Sequence, residues 1–154
     1  MKINNNKNGF TLIELIIVMV ILGIMAAVAV PRYLDSIENA EASAEDAVIT
    51  AIRGGLKQYA NNSLVDNGRA SWPDNPFDAL SEKPAGYTED DEVADTDGEW
   101  TYTITDVSFE GISEGKITHQ RADNSRYYWN YYSDTRDRDD AAIGTLGERQ
   151  NILD

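Results

Sequence analysis

A single carboxylate lies inside a long apolar run near the start of the chain. The run extends from residue 10 to residue 30, and Glu14 is its only charged residue. A charge near the middle of a bilayer costs about 2.5 to 3.5 kcal/mol or more and usually has a functional partner. We therefore expect Glu14 to meet a cation.

The run has the length of a membrane span. As a helix it rises about 1.5 Å per residue and so extends about 30 Å, the thickness of a hydrocarbon core. Lys2 and Lys7 precede it without any acidic residue, whereas the remainder of the chain is strongly acidic. The positive-inside rule therefore predicts a cytoplasmic N-terminus and a C-terminal head outside the cytoplasm.

The residues around the start of the run form a recognisable pattern. A Lys-bearing polar leader ends at Gly9, Phe10 follows, Glu14 is the fifth residue counted from Phe10, and the apolar run ends before Pro31. This arrangement closely resembles the class III signal of the superfamily of type IV pilins and type II secretion pseudopilins. The sequence has no cysteine, whereas many major type IV pilins close a C-terminal loop with a disulfide, so the pseudopilin branch stays open beside the pilus branch.

The resemblance implies how the precursor is processed and assembled. A membrane-embedded aspartyl prepilin peptidase would cleave between Gly9 and Phe10 and methylate the new Phe10 amine. Glu14 would then meet the Phe10 ammonium of a neighbouring subunit in a homo-oligomeric filament. In related filaments the segment from Gly23 to Pro31 unwinds during assembly. The resemblance also implies an inner-membrane assembly platform and minor pilins or pseudopilins as partners, with the subunit ending in an extracellular pilus or a periplasmic pseudopilus.

The same residues allow other interpretations. Thr11 and Glu14 have the spacing of a capping box, in which both side chains satisfy N–H groups at a helix start. Phe10 and Glu14 share one helical face, so after cleavage Glu14 could neutralise the amine of its own chain. A third alternative is an ordinary secretory signal cut after Ala29, which would release a soluble binding domain. The carboxylate and the length of the run disfavour that alternative.

The rest of the chain predicts one modest α+β domain. The 154 residues carry 13 Lys and Arg against 27 Asp and Glu, a net charge of -14, which disfavours nucleic-acid binding. An apolar stripe at helical spacing predicts an amphipathic continuation of the helix to about Ala60, with Glu45 on the opposite, solvent-facing side. The stripe contains Leu34, Ile37, Ala40, Ala44, Val48, Ile52, Leu56 and Tyr59. Pro31 is expected to bend this helix rather than end it.

A small antiparallel sheet is predicted after the helix. Segments 100–105, 115–120 and 126–132 are rich in aromatic and β-branched residues with polar alternation. In the last segment, the five aromatic residues are expected to pack one face on the helix. These bounds divide the chain into a cleaved leader (1–9), a transmembrane and filament-core helix (10–30), its amphipathic continuation (31–61) and a pilin-like globular head (62–154).

No constellation for catalysis or for a resident cofactor is predicted. His119 is the only histidine and has no identifiable Ser or Asp partner. The acidic stretch from residue 87 to residue 99 predicts a solvated loop. The tail resembles the calcium-binding loop of major type II secretion pseudopilins, with Asp134, Asp137, Asp139 and Asp140 as candidate ligands, although a salt-bridged surface loop is the simpler interpretation. The expectation is a structural protein and not an enzyme.

Overall fold

A computed structural model describes residues 9–89, 92–107, 113–133 and 143–152. One long helix, α1, spans Leu12–Asn67, and a 3-10 helix spans Pro76–Ala79. Five strands follow: β1 Trp100–Val107, β2 Ser113–Gln120, β3 Arg126–Tyr132, β4 Thr145–Leu146 and β5 Gln150–Asn151. The predicted α+β, pilin-like fold class is confirmed.

The chain forms two compact units, one running through Ser43 and the other beginning at Ala44. In the first unit, the apolar side chains of α1 are exposed: Leu12 is 77% exposed, Met19 65% and Ile24 64%. By length and composition α1 qualifies as a membrane span, a test that a signal sequence also passes. Within the described chain this apolar surface therefore has no cover.

The second unit is built on an antiparallel sheet in which β2 lies between β1 and β3, and β3 also pairs with β4 and β5. The three predicted strands are confirmed, with β1 extending to Val107. β4 and β5 have two residues each, too few for a periodic pattern to appear in the sequence.

The buried face of α1 is rotated from the predicted stripe. Ile52 and Leu56 are fully buried as expected, but Ala44 is exposed and Tyr59 is 40% exposed. The buried positions of α1 are Glu45, Ile49, Ile52, Leu56, Ala60 and Ser63. Apolar residues occur on two adjacent rows of the helix, and the sheet packs against the row that contains Glu45 and Ile49. The prediction that Glu45 faces solvent was therefore wrong.

The helix also continues past Ala60, where it was expected to finish. Ser63 is buried and its hydroxyl contacts both the Arg69 carbonyl, at 2.9 Å, and the Ser71 hydroxyl, at 2.7 Å. Gly68 has a φ of 71° and its N–H donates to the Leu64 carbonyl at 3.0 Å, the geometry of a glycine that ends a helix. Packing of Ser63 thus extends the helix through the polar Asn61 and Asn62.

The core lies between α1, the 3-10 helix and one face of the sheet. Phe77, Ile117 and Tyr131 are fully buried. The rings of Trp100 and Trp129 stack with centroids 5.7 Å apart, and the Tyr131 hydroxyl donates to the Pro73 carbonyl at 2.7 Å. The aromatic residues of β3 therefore divide as predicted, with Trp129 and Tyr131 in the core and Tyr128 and Tyr132 on the other face.

Candidate functional site

The peptide bond between Gly9 and Phe10 lies outside α1. Helix α1 begins at Leu12, and both residues are exposed, with 91% of the Phe10 surface accessible. A Cβ atom added to Gly9 would meet no other atom within 4 Å. This bond therefore lies in an exposed, irregular segment that precedes the helix.

Thr11 and Glu14 form the predicted capping box. The Thr11 backbone N–H and the Thr11 hydroxyl both donate to Glu14 Oε2 at 2.8 Å. In return, the Glu14 N–H donates to the Thr11 hydroxyl oxygen at 3.3 Å. Within the residues that the structure describes, Glu14 has no ion pair, so the capping hydrogen bonds are the only polar contacts of its carboxylate.

Gly23 and Pro31 both lie inside α1. The helix continues through Pro31, as predicted. A Cβ at Gly23 would meet nothing within 4 Å, so the absence of a side chain there does not serve a contact within this chain.

A second polar site, which the sequence did not reveal, surrounds Glu45. Arg121 donates from Nε to Glu45 Oε1 and from Nη2 to Glu45 Oε2, both at 2.6 Å. Arg149 donates from Nη1 to Oε2 at 3.1 Å, and His119 Nδ1 lies 3.0 Å from Oε1. The Glu45 carboxylate thus contacts three basic side chains. Glu45 is 0% exposed and Arg121 2%.

The electrostatics of this cluster favour the charged carboxylate. Burial disfavours the charge, but hydrogen bonds and charge from Arg121 and His119 outweigh it and lower the pKa of Glu45 to about 2. Aromatic rings complete the site. The rings of His119 and Trp100 stack with their centroids 4.2 Å apart, and the Arg121 guanidinium lies 4.1 Å from the centroid of the Tyr127 ring. His119 is thus a buried partner of Glu45. The cluster joins α1 to β2 and to the C-terminal segment.

Long-range pairing explains why the sequence did not reveal this cluster. The partners of Glu45 are 74 to 104 residues away along the chain. A local signal existed, because Glu45 lies four and seven residues before Ile49 and Ile52 on one helical face.

The candidate calcium ligands Asp134, Asp137, Asp139 and Asp140 lie outside the described residues. Within the described ranges, no group of three His, Cys, Asp or Glu side chains is arranged to hold a metal ion. In the acidic stretch, Glu99 instead organises a turn by accepting the N–H groups of Asp95, at 2.9 Å, and Thr96, at 3.1 Å.

The long N-terminal helix, the antiparallel sheet and the capped N-terminal motif define a pilin-like protein, and the sequence is similar to those of known pilins and pseudopilins. Residues 4–30 match the prokaryotic N-terminal methylation motif. The chain is 33% identical over 117 residues to the type IV major pilin protein PilE1 of Neisseria gonorrhoeae, an alignment that covers 76% of this chain and 45% of that relative. It is 35% identical over 83 residues to the type II secretion system core protein G of Aeromonas hydrophila, covering 54% and 55% of the two chains.

A shorter and closer match is to the type IV narrow pilus major component PilA5 of Thermus thermophilus, which is 53% identical over 45 residues, 29% of this chain and 39% of that one. The chain spans about half the length of the curated relatives it matches. No solved structure matches it significantly. The chain carries the N-terminal methylation motif, and its relatives are type IV pilins and type II secretion core protein G, which confirms the resemblance predicted from its N-terminal residues.

Proposed function

We propose that this protein is the subunit of a type IV pilus-like filament, made as a membrane-anchored precursor and polymerised through α1. The observation that carries the proposal is the N-terminal methylation motif at residues 4–30, which overlaps the exposed apolar half of α1. In the proposed sequence of events, prepilin peptidase cuts between Gly9 and Phe10 and methylates the Phe10 amine. The role is structural, in keeping with the pilins and pseudopilins among its relatives.

The exposed apolar surface suggests how the subunit is stored and then assembled. Removing apolar surface from water is favourable by about 25 cal/mol for each Å². Either a bilayer or the helices of neighbouring subunits can bury the apolar half of α1 in this way. The lysines of the leader, Lys2 and Lys7, orient the precursor with its N-terminus in the cytoplasm. Assembly then exchanges lipid contacts for helix contacts without exposing the apolar half of α1 to water.

Glu14 has a distinct electrostatic role in this scheme. Before cleavage, the nitrogen of Phe10 is an uncharged amide, and Glu14 accepts hydrogen bonds from Thr11. Cleavage creates an ammonium group at Phe10, the cation that a carboxylate in an apolar environment requires. The carboxylate then pairs with the amine of its own chain or with that of a neighbouring subunit.

The second candidate function is a pseudopilus that drives protein export. The observation that favours it is the 35 to 36% identity to type II secretion core protein G of two bacteria. Deletion of the gene separates the two functions. Loss of surface filaments with normal export supports the pilus, whereas exoproteins retained in the periplasm with intact surface filaments support the pseudopilus.

An intact mass with N-terminal fragmentation, measured on protein from its native cells, tests the processing step. The proposal predicts a chain that begins at N-methylated Phe10. A mature chain that begins at Val30 would establish an ordinary secreted domain instead, and an uncut chain that begins at Met1 would exclude prepilin processing.

A further inference from the structure

A cavity lies on the face of the sheet opposite α1. Tyr102, Ile117 and Trp129 point into the core, and because successive residues of a strand alternate between faces, their neighbours point the other way. The cavity has a volume of about 340 Å³, within the range of small-ligand sites. It is lined by Val93, Thr103, Lys116, Thr118, Tyr128, Asn151 and Ile152.

The floor of the cavity is held in place by hydrogen bonds. The Thr103 hydroxyl donates to the Glu92 carbonyl at 2.8 Å. The Thr118 hydroxyl oxygen accepts the Ala94 N–H at 2.9 Å and lies 2.6 Å from the Thr101 hydroxyl. A ligand would therefore meet a preorganised surface, which lowers the entropic cost of binding.

Two polar groups at the cavity have no hydrogen bond or ion pair within the described residues: the Lys116 ammonium and the Asn151 side-chain amide. Lys116 Nζ lies 5.2 Å from the centroid of the Tyr128 ring, so a cation–π contact positions the charge. The Tyr128 hydroxyl is itself engaged with the Gln150 side chain. Among the described residues that line the cavity, Lys116 is the only charged one.

We propose that this cavity binds a sugar ring that carries a carboxylate. The carboxylate would receive a charge-assisted hydrogen bond from Lys116. The Asn151 amide can both donate to and accept from ring hydroxyls. The C–H groups of the ring would pack on Tyr128, Val93 and Ile152. In a protein of net charge -14, an acidic ligand needs a local cation of this kind to overcome general repulsion.

The test is an NMR titration of the full-length chain in micelles of a polyoxyethylene detergent, whose headgroup is neither charged nor a sugar. Glucuronate, glucose and acetate are added separately, and the backbone amide signals of Lys116, Tyr128 and Asn151 are followed. We expect saturable shifts with glucuronate and at least tenfold weaker binding of glucose and acetate, because each lacks one half of the recognised chemistry.

A pair of matched variants locates the site. Lys116→Gln is expected to weaken glucuronate binding about tenfold, whereas Lys57→Gln, which removes the same charge from an exposed position of α1 away from the cavity, leaves it unchanged. Absence of shifts with glucuronate up to about 50 mM would overturn the proposal. If glucose bound as tightly as glucuronate, the proposed role of Lys116 would be refuted. If acetate bound as tightly as glucuronate, the proposed recognition of a sugar ring would be refuted.

Discussion

Glu14 combines two separable properties, a hydrogen-bond acceptor and a negative charge. As an acceptor it caps the start of α1 through Thr11. A capping box functions with Glu or Gln at this position, so the cap does not need the charge. Under the proposed processing, the charge gains its partner when cleavage creates the Phe10 amine.

Substitutions at these two positions separate the cap from the charge. Glu14→Gln keeps an acceptor for the Thr11 N–H but removes the charge, and we expect assembled filament to fall at least tenfold because an ion pair in an apolar environment is lost. Thr11→Val removes the hydroxyl of the cap but keeps the charge, and is expected to retain most assembly. The measurement is the ratio of pelleted filament to total processed subunit.

Glu38→Gln is the matched control, since it removes an exposed carboxylate from α1 outside the apolar run, and it should assemble normally. The opposite pattern, with Thr11→Val defective and Glu14→Gln normal, would assign Glu14 a capping role alone.

Helix α1 packs closely on the last residue of the 3-10 helix, Ala79, at a position where only glycine fits. A Cβ added to Gly55 would lie 2.4 Å from the Ala79 carbonyl oxygen, whereas one added to the adjacent Gly54 would meet nothing within 4 Å. Alanine favours a helix by up to about 1 kcal/mol over glycine. The two neighbouring glycines have equal helix propensity, but only Gly55 faces the Ala79 backbone, whereas Gly54 is exposed.

Alanine substitutions at the two glycines should change stability in opposite directions. Gly54→Ala is expected to raise the free energy of unfolding by about 0.5 to 1 kcal/mol. Gly55→Ala is expected to lower it by about 1 to 3 kcal/mol, because the Ala79 backbone must shift to make room for the added methyl group. Urea unfolding of the micelle-bound chain, followed by the fluorescence of its buried tryptophans, measures both. Stabilisation of equal size in the two variants would contradict the close packing of Gly55.

Elements defined by local pattern were predictable, and those defined by long-range contacts were not. Strands β1, β2 and β3 have their own alternation, and the capping box at Thr11 depends on residues three apart. The rotation of α1 depends on which of two apolar rows the sheet covers. Arg121 and Arg149 favour the row that contains Glu45, because they bind its carboxylate. The added length of α1 depends on the contacts of Ser63 with residues beyond the helix end. β4 is held by its pairing with β3.

At the scale of the whole molecule, the two units differ in how far their apolar residues are buried. The N-terminal unit exposes them, so it requires a bilayer or other subunits, whereas the C-terminal unit buries its own core. With no cysteine in the chain, the C-terminal segment is joined to α1 by Arg149 and Glu45 rather than by a disulfide. Because Arg149 is partly exposed, solvent screens its ion pair with Glu45 and the pair contributes less than a buried one. The buried partner of Glu45 is Arg121, and removing one partner of a buried ion pair costs about 3 to 5 kcal/mol.

The Glu45 cluster should also determine how the head unfolds in acid. The folded-state pKa of Glu45 is about 2, below that of an unfolded glutamate, which is about 4.3. Its contribution is therefore complete above about pH 4.5 and is lost as the pH falls towards 2. Hydrogen bonds lower the pKa values of Glu99 and Asp123 as well, so they contribute with the same sign.

Glu45→Gln isolates the contribution of the cluster to acid stability. At pH 7 we expect this variant to lose about 3 to 5 kcal/mol of unfolding free energy, since the buried Arg121 loses its two charge-assisted hydrogen bonds to the Glu45 carboxylate. Between pH 4.5 and 2 its stability should change less steeply than that of the native protein, by up to about 1.4 kcal/mol for each pH unit. Urea unfolding at a series of pH values measures both effects, with Glu82→Gln as the exposed control. Parallel pH profiles for the native and Glu45→Gln proteins would show that the buried carboxylate does not govern acid unfolding, and would shift that role to Glu99 and Asp123.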